Sequence, residues 1–257
     1  MYEKDVLIEF LSYRPEDSMP VLNRFAGLKR AIAHFDGGKK NFVYVPGTGT
    51  NRVVLVAHAD TVWDKGYFPD FVSLYGEPLE KKKHKPVLRK GIVRQTGWKN
   101  WGIGADDRAG CAILWLLKDT GHSLLITDGE EHGQIGANHL MNQYTDLAKE
   151  INEHSYMIQL DRRNNRDYKT YSLPVSEEFI EYIEARTGYT NAGTTSRTDI
   201  IALCRRSCGV NLSVGYLREH HSDETLDVEG WLNAYETVKT MIEGEQPQFL
   251  LTSVTEF

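Results

Sequence analysis

The sequence predicts an α/β fold, a three-layer α/β/α sandwich in which helices cover both faces of a mainly parallel, mixed central sheet. Two observations lead to this prediction. Short apolar runs bounded by turn residues alternate along the chain with segments whose apolar residues recur at helical spacing. In addition, Val53–Ala57 is apolar without interruption, which is typical of a strand buried on both faces of a parallel sheet.

Each predicted element follows from its local pattern. The first two helices are indicated by Leu7, Phe10 and Leu11 and then by Val21, Leu22, Phe25 and Leu28, all at helical spacing. The predicted helices are Asp5–Ser12, Met19–His34, Ala109–Lys118, Gly136–Tyr144, Phe179–Thr187 and Val228–Ile242. The predicted strands are Asn41–Val45, Val53–Ala57, Ser123–Thr127, Tyr156–Leu160 and Gly209–Val214. No repeat, low-complexity linker or composition break interrupts them, so we expect one domain over residues 1–257.

Composition narrows the classes of protein to which the chain can belong. It has 30 basic and 36 acidic residues among 257, a net charge of −6, which disfavours a nucleic-acid partner. Three scattered cysteines do not make a disulfide framework and favour a reducing compartment. The charged N-terminus does not resemble a signal peptide, and no apolar run approaches the length of a membrane span. We therefore expect a cytoplasmic protein without a membrane partner.

Carboxylates and imidazoles follow the predicted strands. In a parallel sheet the carboxyl ends of the strands meet at one edge, where such folds bind ligands. The segments that carry these side chains are His58-Ala59-Asp60, Gly104-Ala105-Asp106-Asp107, Asp128-Gly129-Glu130-Glu131-His132-Gly133, Asp161 and Glu219-His220-His221-Ser222-Asp223-Glu224-Thr225-Leu226-Asp227. Five separate segments are thus expected to deliver these groups to one place.

So many carboxylates would repel one another unless a cation neutralised them, and two divalent ions fit this set better than one. Histidine and carboxylate ligands without thiolates suit zinc, manganese or cobalt. Residues two apart at a strand end point to the same side, so Asp60 can accept the free ring N–H of a metal-bound His58. Of the adjacent pair Glu130 and Glu131, one can bind metal while the other acts as general base.

The motifs His-x-Asp, Gly-Ala-Asp-Asp, Gly-Glu-Glu-x-Gly, a later Asp and the final His segment resemble, in order and spacing, the co-catalytic zinc exopeptidases. The resemblance extends from about Val53 to Asp227. It implies that His58, Asp106 and Asp161 hold one metal ion, and that Asp106 bridges to a second ion held by Glu131 and His220. It further implies that Glu130 is the general base, that Asp60 orients His58, and that a cis peptide joins Asp106 to Asp107.

Three assignments stay open at the level of sequence. His221 is the alternative to His220, although Glu224, Leu226 and Asp227 stand at the family's distances from His220. Asp199 is either a residue near the site, with a substrate amine as its partner, or a plain helix N-cap. Arg162, with its basic neighbours, either binds a substrate carboxylate or lies on the surface.

The resemblance implies a hydrolase that removes N-terminal residues from peptides, with a peptide or amino-acid amide as substrate and two divalent ions, zinc or else cobalt or manganese. The alternatives are an N-acyl amide hydrolase or carboxypeptidase, a glutaminyl cyclase with one zinc, and a metal-binding protein without activity. Lid-bearing relatives insert a second domain between the last Asp and the final His, and the distance from Asp161 to His220 leaves no room for it. We therefore expect the loops Asp64–Lys99 and Arg162–Thr198 to shape the pocket.

Overall fold

An eight-stranded mixed sheet forms the centre of the structure, a computed structural model that describes residues 2–50, 52–64, 83–97 and 101–253. The strands of this sheet are β1 (Ile32–His34), β2 (Phe42–Val45), β3 (Val54–His58), β6 (Ser123–Thr127), β7 (Met157–Arg162), β8 (Asp167–Lys169), β9 (Thr190–Asn191) and β10 (Gly209–Ser213). Their spatial order is β1-β2-β6-β3-β7-β10-β8-β9. The four central strands β6, β3, β7 and β10 are parallel to one another, β1, β2 and β8 join the sheet through antiparallel pairs, and the edge strand β9 is parallel to β8. The sheet is therefore mainly parallel but mixed, as predicted.

Helices cover the sheet on both faces. They are α1 (Tyr2–Ser12), α2 (Met19–Ala26), α3 (Ala105–Leu117), α4 (Ile135–Gln143), α5 (Thr145–Asn152), α6 (Glu177–Thr187), α7 (Asp199–Leu203) and α8 (Val228–Met241). One group is organised by α3, which packs on β3 and β7 and is contacted by α1 and α8. The other group is formed by α4, which contacts both α5 and α7. The predicted three-layer α/β/α class is confirmed.

The central strands are buried on both faces of the sheet, and this holds for every residue of β3, β6 and β10. In β3 and β6 the burial matches the apolar runs Val54–Ala57 and Leu124–Ile126, whereas β10 also buries Asn211 and Ser213. At the helix starts, short polar side chains cap the backbone: the Ser176 hydroxyl accepts from the Phe179 amide of α6, and the Asp227 carboxylate accepts from the Glu229 amide of α8. These local signals fix where the helices begin beside the sheet.

A second, four-stranded antiparallel sheet stands beside the carboxyl ends of the central strands. It consists of β4 (Pro86–Arg89), β5 (Ile92–Gln95), β11 (Tyr216–Leu217) and β12 (Thr225–Asp227), in the order β11-β12-β5-β4. The segment that carries His220 connects β11 to β12. The small sheet therefore holds both ends of the segment in which the last predicted metal ligand lies.

The predicted helix Met19–His34 is wrong in its second half. The helix ends at Ala26, where the amide of Gly27 donates to the carbonyl of Asn23, and Ile32–His34 forms the edge strand β1 instead. The apolar residues after Phe25 no longer continue one buried face, and Ile32 pairs with Tyr44 of β2. Pairing with a distant strand therefore overrides a local helical pattern.

Several short elements lie outside the predicted set. They are α5, α7, β8, β9 and the four strands of the small sheet. Most of these elements have two to five residues, too few for a hydrophobic period to be read. None of the helices formed by the described residues is long and apolar enough to cross a membrane.

A buried histidine joins α5 to β6. The Nδ1–H of His154 donates to the Glu150 carbonyl at 2.9 Å, and its Nε2 accepts from the Ser123 hydroxyl at 2.8 Å. Burial lowers the pKa of His154 to about 4, and the positive charge of Arg52 acts in the same direction. The folded protein therefore holds this imidazole neutral where the unfolded chain would protonate it.

Acidification from pH 7 to pH 5 is expected to lower the free energy of unfolding by about 2 kcal/mol through His154. His154 binds a proton near pH 6.5 in the unfolded chain but only near pH 4 in the folded chain. The stability that the neutral His154 contributes above pH 6.5 is therefore lost as the pH falls. Urea unfolding at several pH values, with a chelator present, measures this slope. His154→Gln should flatten the slope, and the exposed His221→Gln should leave it unchanged. An equal slope in His154→Gln would contradict the prediction.

Candidate metal centre

The carboxyl ends of the parallel strands bring the predicted site residues together. His58 is the last residue of β3, Glu130 and Glu131 follow the end of β6, and Asp161 lies near the end of β7. Because β6, β3 and β7 are neighbours in the sheet, these three ends are adjacent. Asp106 reaches the same edge from the start of α3, where the backbone of Asp106 and Asp107 is not helical and the peptide bond between them is cis, as predicted.

His58, Asp106 and Asp161 form one side of the cluster. The Nε2 atom of His58 lies 3.2 Å from Oδ1 of Asp106 and 3.3 Å from Oδ1 of Asp161. The imidazole is 1% exposed, so this contact is shielded from water. These are the three residues that the sequence assigned to one metal ion.

His220 and Glu131 form the other side. The Nε2 atom of His220 lies 3.0 Å from Oδ2 of Asp106 and 3.1 Å from Oε1 of Glu131. His220 has a left-handed backbone conformation, with φ 64°, which a histidine adopts at some cost in free energy. Both His220 and His221 are exposed, but it is the imidazole of His220 that contacts the carboxylates.

The donor set fits divalent cations. The two oxygens of Asp106 face different imidazoles, which is the arrangement of a bridging carboxylate. Three buried atoms, Nε2 of His58, Oδ1 of Asp106 and Oε1 of Glu131, have no hydrogen-bond partner among the described residues. One ligand atom from each of these residues lies within 4.8 Å of the others. Nitrogen and carboxylate donors without sulfur suit zinc, cobalt or manganese.

The charges of the cluster also call for a cation. Burial and the charge of Asp106 raise the pKa of Glu131 to about 7, and burial and other carboxylates raise the pKa of Asp161 and of Glu130. In contrast, hydrogen bonds to Asp106 and Glu131 raise the pKa of His220 to about 11. The carboxylates therefore attract positive charge to the atoms that would hold a metal ion.

Asp60 connects the histidine to the glutamate pair. The Nδ1 atom of His58 lies 3.1 Å from the Asp60 carbonyl oxygen and 3.4 Å from its Oδ1. The Asp60 carboxylate also accepts from the backbone amides of Glu130 at 3.2 Å and Glu131 at 3.3 Å. Asp60 is fully buried, which raises its pKa, but hydrogen bonds from His132 and His58 and the positive charge of Lys39 keep the pKa below the usual range. The residue thus fixes the imidazole and the glutamate turn together.

Asp107 has a structural place in the site, beside the proposed ligands. Its side-chain oxygens lie close enough to His58 and Asp161 to share a metal ion with them. They already accept backbone hydrogen bonds, however, from the His58 amide at 3.2 Å and the Gly110 amide at 3.0 Å. We therefore regard Asp107 as the carboxylate that joins α3 to β3.

Two further residues hold parts of the site in place, and their contacts were not predicted from the sequence. Glu224 is buried and accepts from the backbone amides of Gly104 at 2.8 Å and Asp106 at 3.1 Å, which fixes the turn before α3. The hydroxyl of Tyr216 donates to Oδ1 of Asp161 at 3.0 Å. The spacing of Glu224 from His220 was the only signal for either residue, and it did not show what Glu224 binds.

A cavity of about 620 Å³ opens over the cluster. Asp106, Glu130, Glu131, Asp161 and His220 line it, together with residues of the predicted pocket loop Arg162–Thr198. The other predicted pocket loop, Asp64–Lys99, lies largely outside the described residues.

The two candidate substrate-binding residues occupy different places. Arg162 lines the cavity, but its Nε donates to Oδ1 of Asp167 at 2.6 Å. Asp199 is fully buried at the start of α7, where Oδ2 accepts from the Thr127 hydroxyl and Oδ1 has no partner among the described residues. Both assignments stay predictions.

Comparison with known proteins supports the fold. No family model and no curated protein sequence matches the chain. Aminopeptidase PepT from Bacillus cereus ATCC 10987 matches with a TM-score of 0.64 at 14% identity, over 94% of this chain and 97% of that one. A tripeptidase from Staphylococcus aureus subsp. aureus Mu50 gives 0.63 at 13%, over 94% and 97%, and the Pyrococcus horikoshii TET1 peptidase gives 0.61 at 16%, over 93% and 99%. The chain therefore has the fold of these peptidases, as the resemblance to the zinc exopeptidases predicted.

Proposed function

We propose that the chain is a metal-dependent aminopeptidase, which hydrolyses the N-terminal peptide bond of peptides with the help of two divalent ions. The observation that carries the proposal is the position of Asp106, whose oxygens contact His58 on one side and His220 on the other. Such a carboxylate can join two ions at the distance that two-metal hydrolases use. The similarity of fold to an aminopeptidase and a tripeptidase supports the same reaction class.

In this proposal His58, Asp106 and Asp161 hold one ion, and Asp106, Glu131 and His220 hold the other. Zinc, or else cobalt or manganese, supplies Lewis acidity at the scissile carbonyl and lowers the pKa of water. Asp60 keeps Nδ1 of His58 engaged, so that Nε2 faces the ion.

Glu130 is the proposed general base. Its carboxylate lines the cavity and forms no ion pair among the described residues, whereas Glu131, its neighbour, contacts His220. Glu130 would take a proton from the attacking water and then deliver it to the leaving amine. The backbone of Glu130 is held by Asp60, so the base has a fixed place beside the ligands.

We also propose that residues 1–257 act as one catalytic domain without a lid. The segment between Asp161 and His220 forms β8, α6, β9, α7, β10 and β11, which are parts of the sandwich and of the small sheet.

A substrate screen tests the proposal. The purified chain, loaded in turn with zinc, cobalt and manganese, should release p-nitroaniline from aminoacyl anilides with a free amine, and a chelator should abolish this activity. Bound metal is measured in the same samples. Cleavage of N-acylated substrates alone would indicate an amide hydrolase, and cyclisation of N-terminal glutamine with one zinc per chain would indicate a cyclase. A metal-loaded chain inactive on all of them would overturn the proposal.

A further inference from the structure

The cavity over the metal cluster is lined by side chains of both charges. The ligand carboxylates line it, and so do the cations Arg162, Arg163 and Lys169. A volume of about 620 Å³ is in the range of small-ligand sites, so one bound molecule can reach groups of both charges. The three cations are not explained by the proposed chemistry, which needs only the ligands and Glu130.

The three cations differ in whether an acidic partner neutralises them. Nε of Arg162 lies 2.6 Å from Oδ1 of Asp167, and Nη1 of Arg163 lies 2.9 Å from Oε1 of Glu219. Lys169 has neutral partners only, so far as the described residues are concerned. Its Nζ donates to oxygens of Thr195 and Ser196, at distances from 2.7 to 3.4 Å.

Lys169 is 6% exposed, so its ammonium group is buried without a counter-ion among the described residues. A buried charge of this kind is costly unless an opposite charge accompanies it. Burial and the neighbouring guanidinium groups of Arg162 and Arg163 accordingly lower the pKa of Lys169. An anion bound beside Lys169 would supply the missing counter-charge. It would also offset the repulsion between Lys169 and the guanidinium groups of Arg162 and Arg163.

The register of the sheet connects Lys169 to the cluster. Lys169 lies on β8 directly opposite Asn211 of β10. The Nδ2 group of Asn211 donates to the Asp161 carbonyl at 2.8 Å and to the Tyr171 hydroxyl at 2.8 Å, and Tyr171 also lines the cavity. Lys169 and the proposed ligand Asp161 are therefore both placed next to Asn211 of β10, and both line the cavity.

We propose that Lys169 binds a carboxylate of the substrate and so selects peptides that present a carboxylate to this part of the cavity. This inference rests on the proposed function. The carboxylate has two possible sources, the side chain of an N-terminal glutamate or aspartate, or the free C-terminus of a dipeptide. Both present the same anion to the same ammonium group, and paired substrates that differ only in that charge distinguish them.

Kinetics with two such pairs test the inference. The pairs are glutamyl against glutaminyl p-nitroanilide, and alanyl-alanine against its C-terminal amide. The wild-type chain should prefer the charged member of one pair in kcat/KM by about 10- to 100-fold, the value of a charge-assisted hydrogen bond. Lys169→Met should reduce that preference to about one, through a loss on the charged member that clearly exceeds any loss on the neutral member. Lys149→Met, an exposed lysine on α5, is the matched control and should keep the preference.

Equal losses on the charged and neutral members in Lys169→Met would show that the lysine only holds the loop of Thr195 and Ser196, and would overturn the inference. So would a wild-type chain without preference in either pair. Calorimetric binding of L-glutamate against L-glutamine, and of alanyl-alanine against its amide, to metal-loaded Glu130→Gln gives a readout without turnover. If none of the substrates is hydrolysed, the proposed function fails, while the binding preference still decides whether Lys169 recognises a carboxylate.

Discussion

Glu130→Gln is expected to keep its metal ions and lose most of its turnover, with kcat lower by about 10²- to 10⁴-fold. The glutamine side chain has nearly the same shape as glutamate but accepts no proton near neutral pH. Because the Glu130 carboxylate contacts none of the proposed ligands through an ion pair among the described residues, its replacement leaves the donor set complete. Metal content per chain and kcat for an aminoacyl anilide, measured on the same preparation, check both parts.

Glu131→Gln is the matched comparison for this variant. It makes the same chemical change one residue further on, but it alters a carboxylate whose Oε1 lies 3.1 Å from Nε2 of His220. We expect it to lose metal and activity together. If Glu130→Gln lost metal instead, Glu130 would be a ligand, and the assignment of the pair would have to be reversed.

The topology of a parallel sheet made most of the site predictable, since it places the residues that follow the strands close together. These residues are His58, Asp106, Glu131 and Asp161. Continuous apolar runs indicated parallel strands, and the carboxyl ends of parallel strands lie at one edge of a sheet. Val53–Ala57 carried most of this information, since five apolar residues bounded by turn residues are typical of a strand inside such a sheet. Asp106 is the exception to this rule, because it reaches the edge from the start of α3 through non-helical backbone and a cis peptide.

The choice between His220 and His221 required coordinates. Spacing favoured His220, but both lie in one loop, and the direction of each imidazole depends on backbone angles that the sequence does not display. The left-handed conformation of His220 and the anchoring of the loop between β11 and β12 direct its ring toward Asp106 and Glu131. Strands of two or three residues carry no readable period, so this anchoring could not be predicted.

Lys169 and Tyr216 were missed for the same reason. Each lies on a short strand, Lys169 on β8 next to the edge strand β9 and Tyr216 on β11 at the edge of the small sheet. Neither strand is long enough to show an alternation of apolar and polar residues. Their contacts span long distances along the chain: Tyr216 is 55 residues from Asp161, and Lys169 is 26 residues from Thr195. Only the strand order brings them to the cavity. The sequence therefore indicated Arg162, the residue next to Asp161, as the candidate that binds a substrate carboxylate.

Asp106→Asn should have the largest effect on metal binding, because Asp106 is the one described carboxylate that contacts the imidazoles of both His58 and His220. We expect two ions per chain in the wild type, one in His220→Gln and less than one in Asp106→Asn, with a fall in kcat/KM of at least about 100-fold. Elemental analysis after dialysis measures the ions, and the rise in melting temperature on adding zinc reports the same loss. Asp223→Asn, an exposed aspartate paired with Arg218, removes the same charge outside the cluster and should leave both readouts unchanged. If Asp106→Asn retained as much metal as His220→Gln, Asp106 would bind one ion only, and another carboxylate would have to bridge the two ions. Asp107 is the nearest candidate for that bridge, because its oxygens lie beside His58 and Asp161.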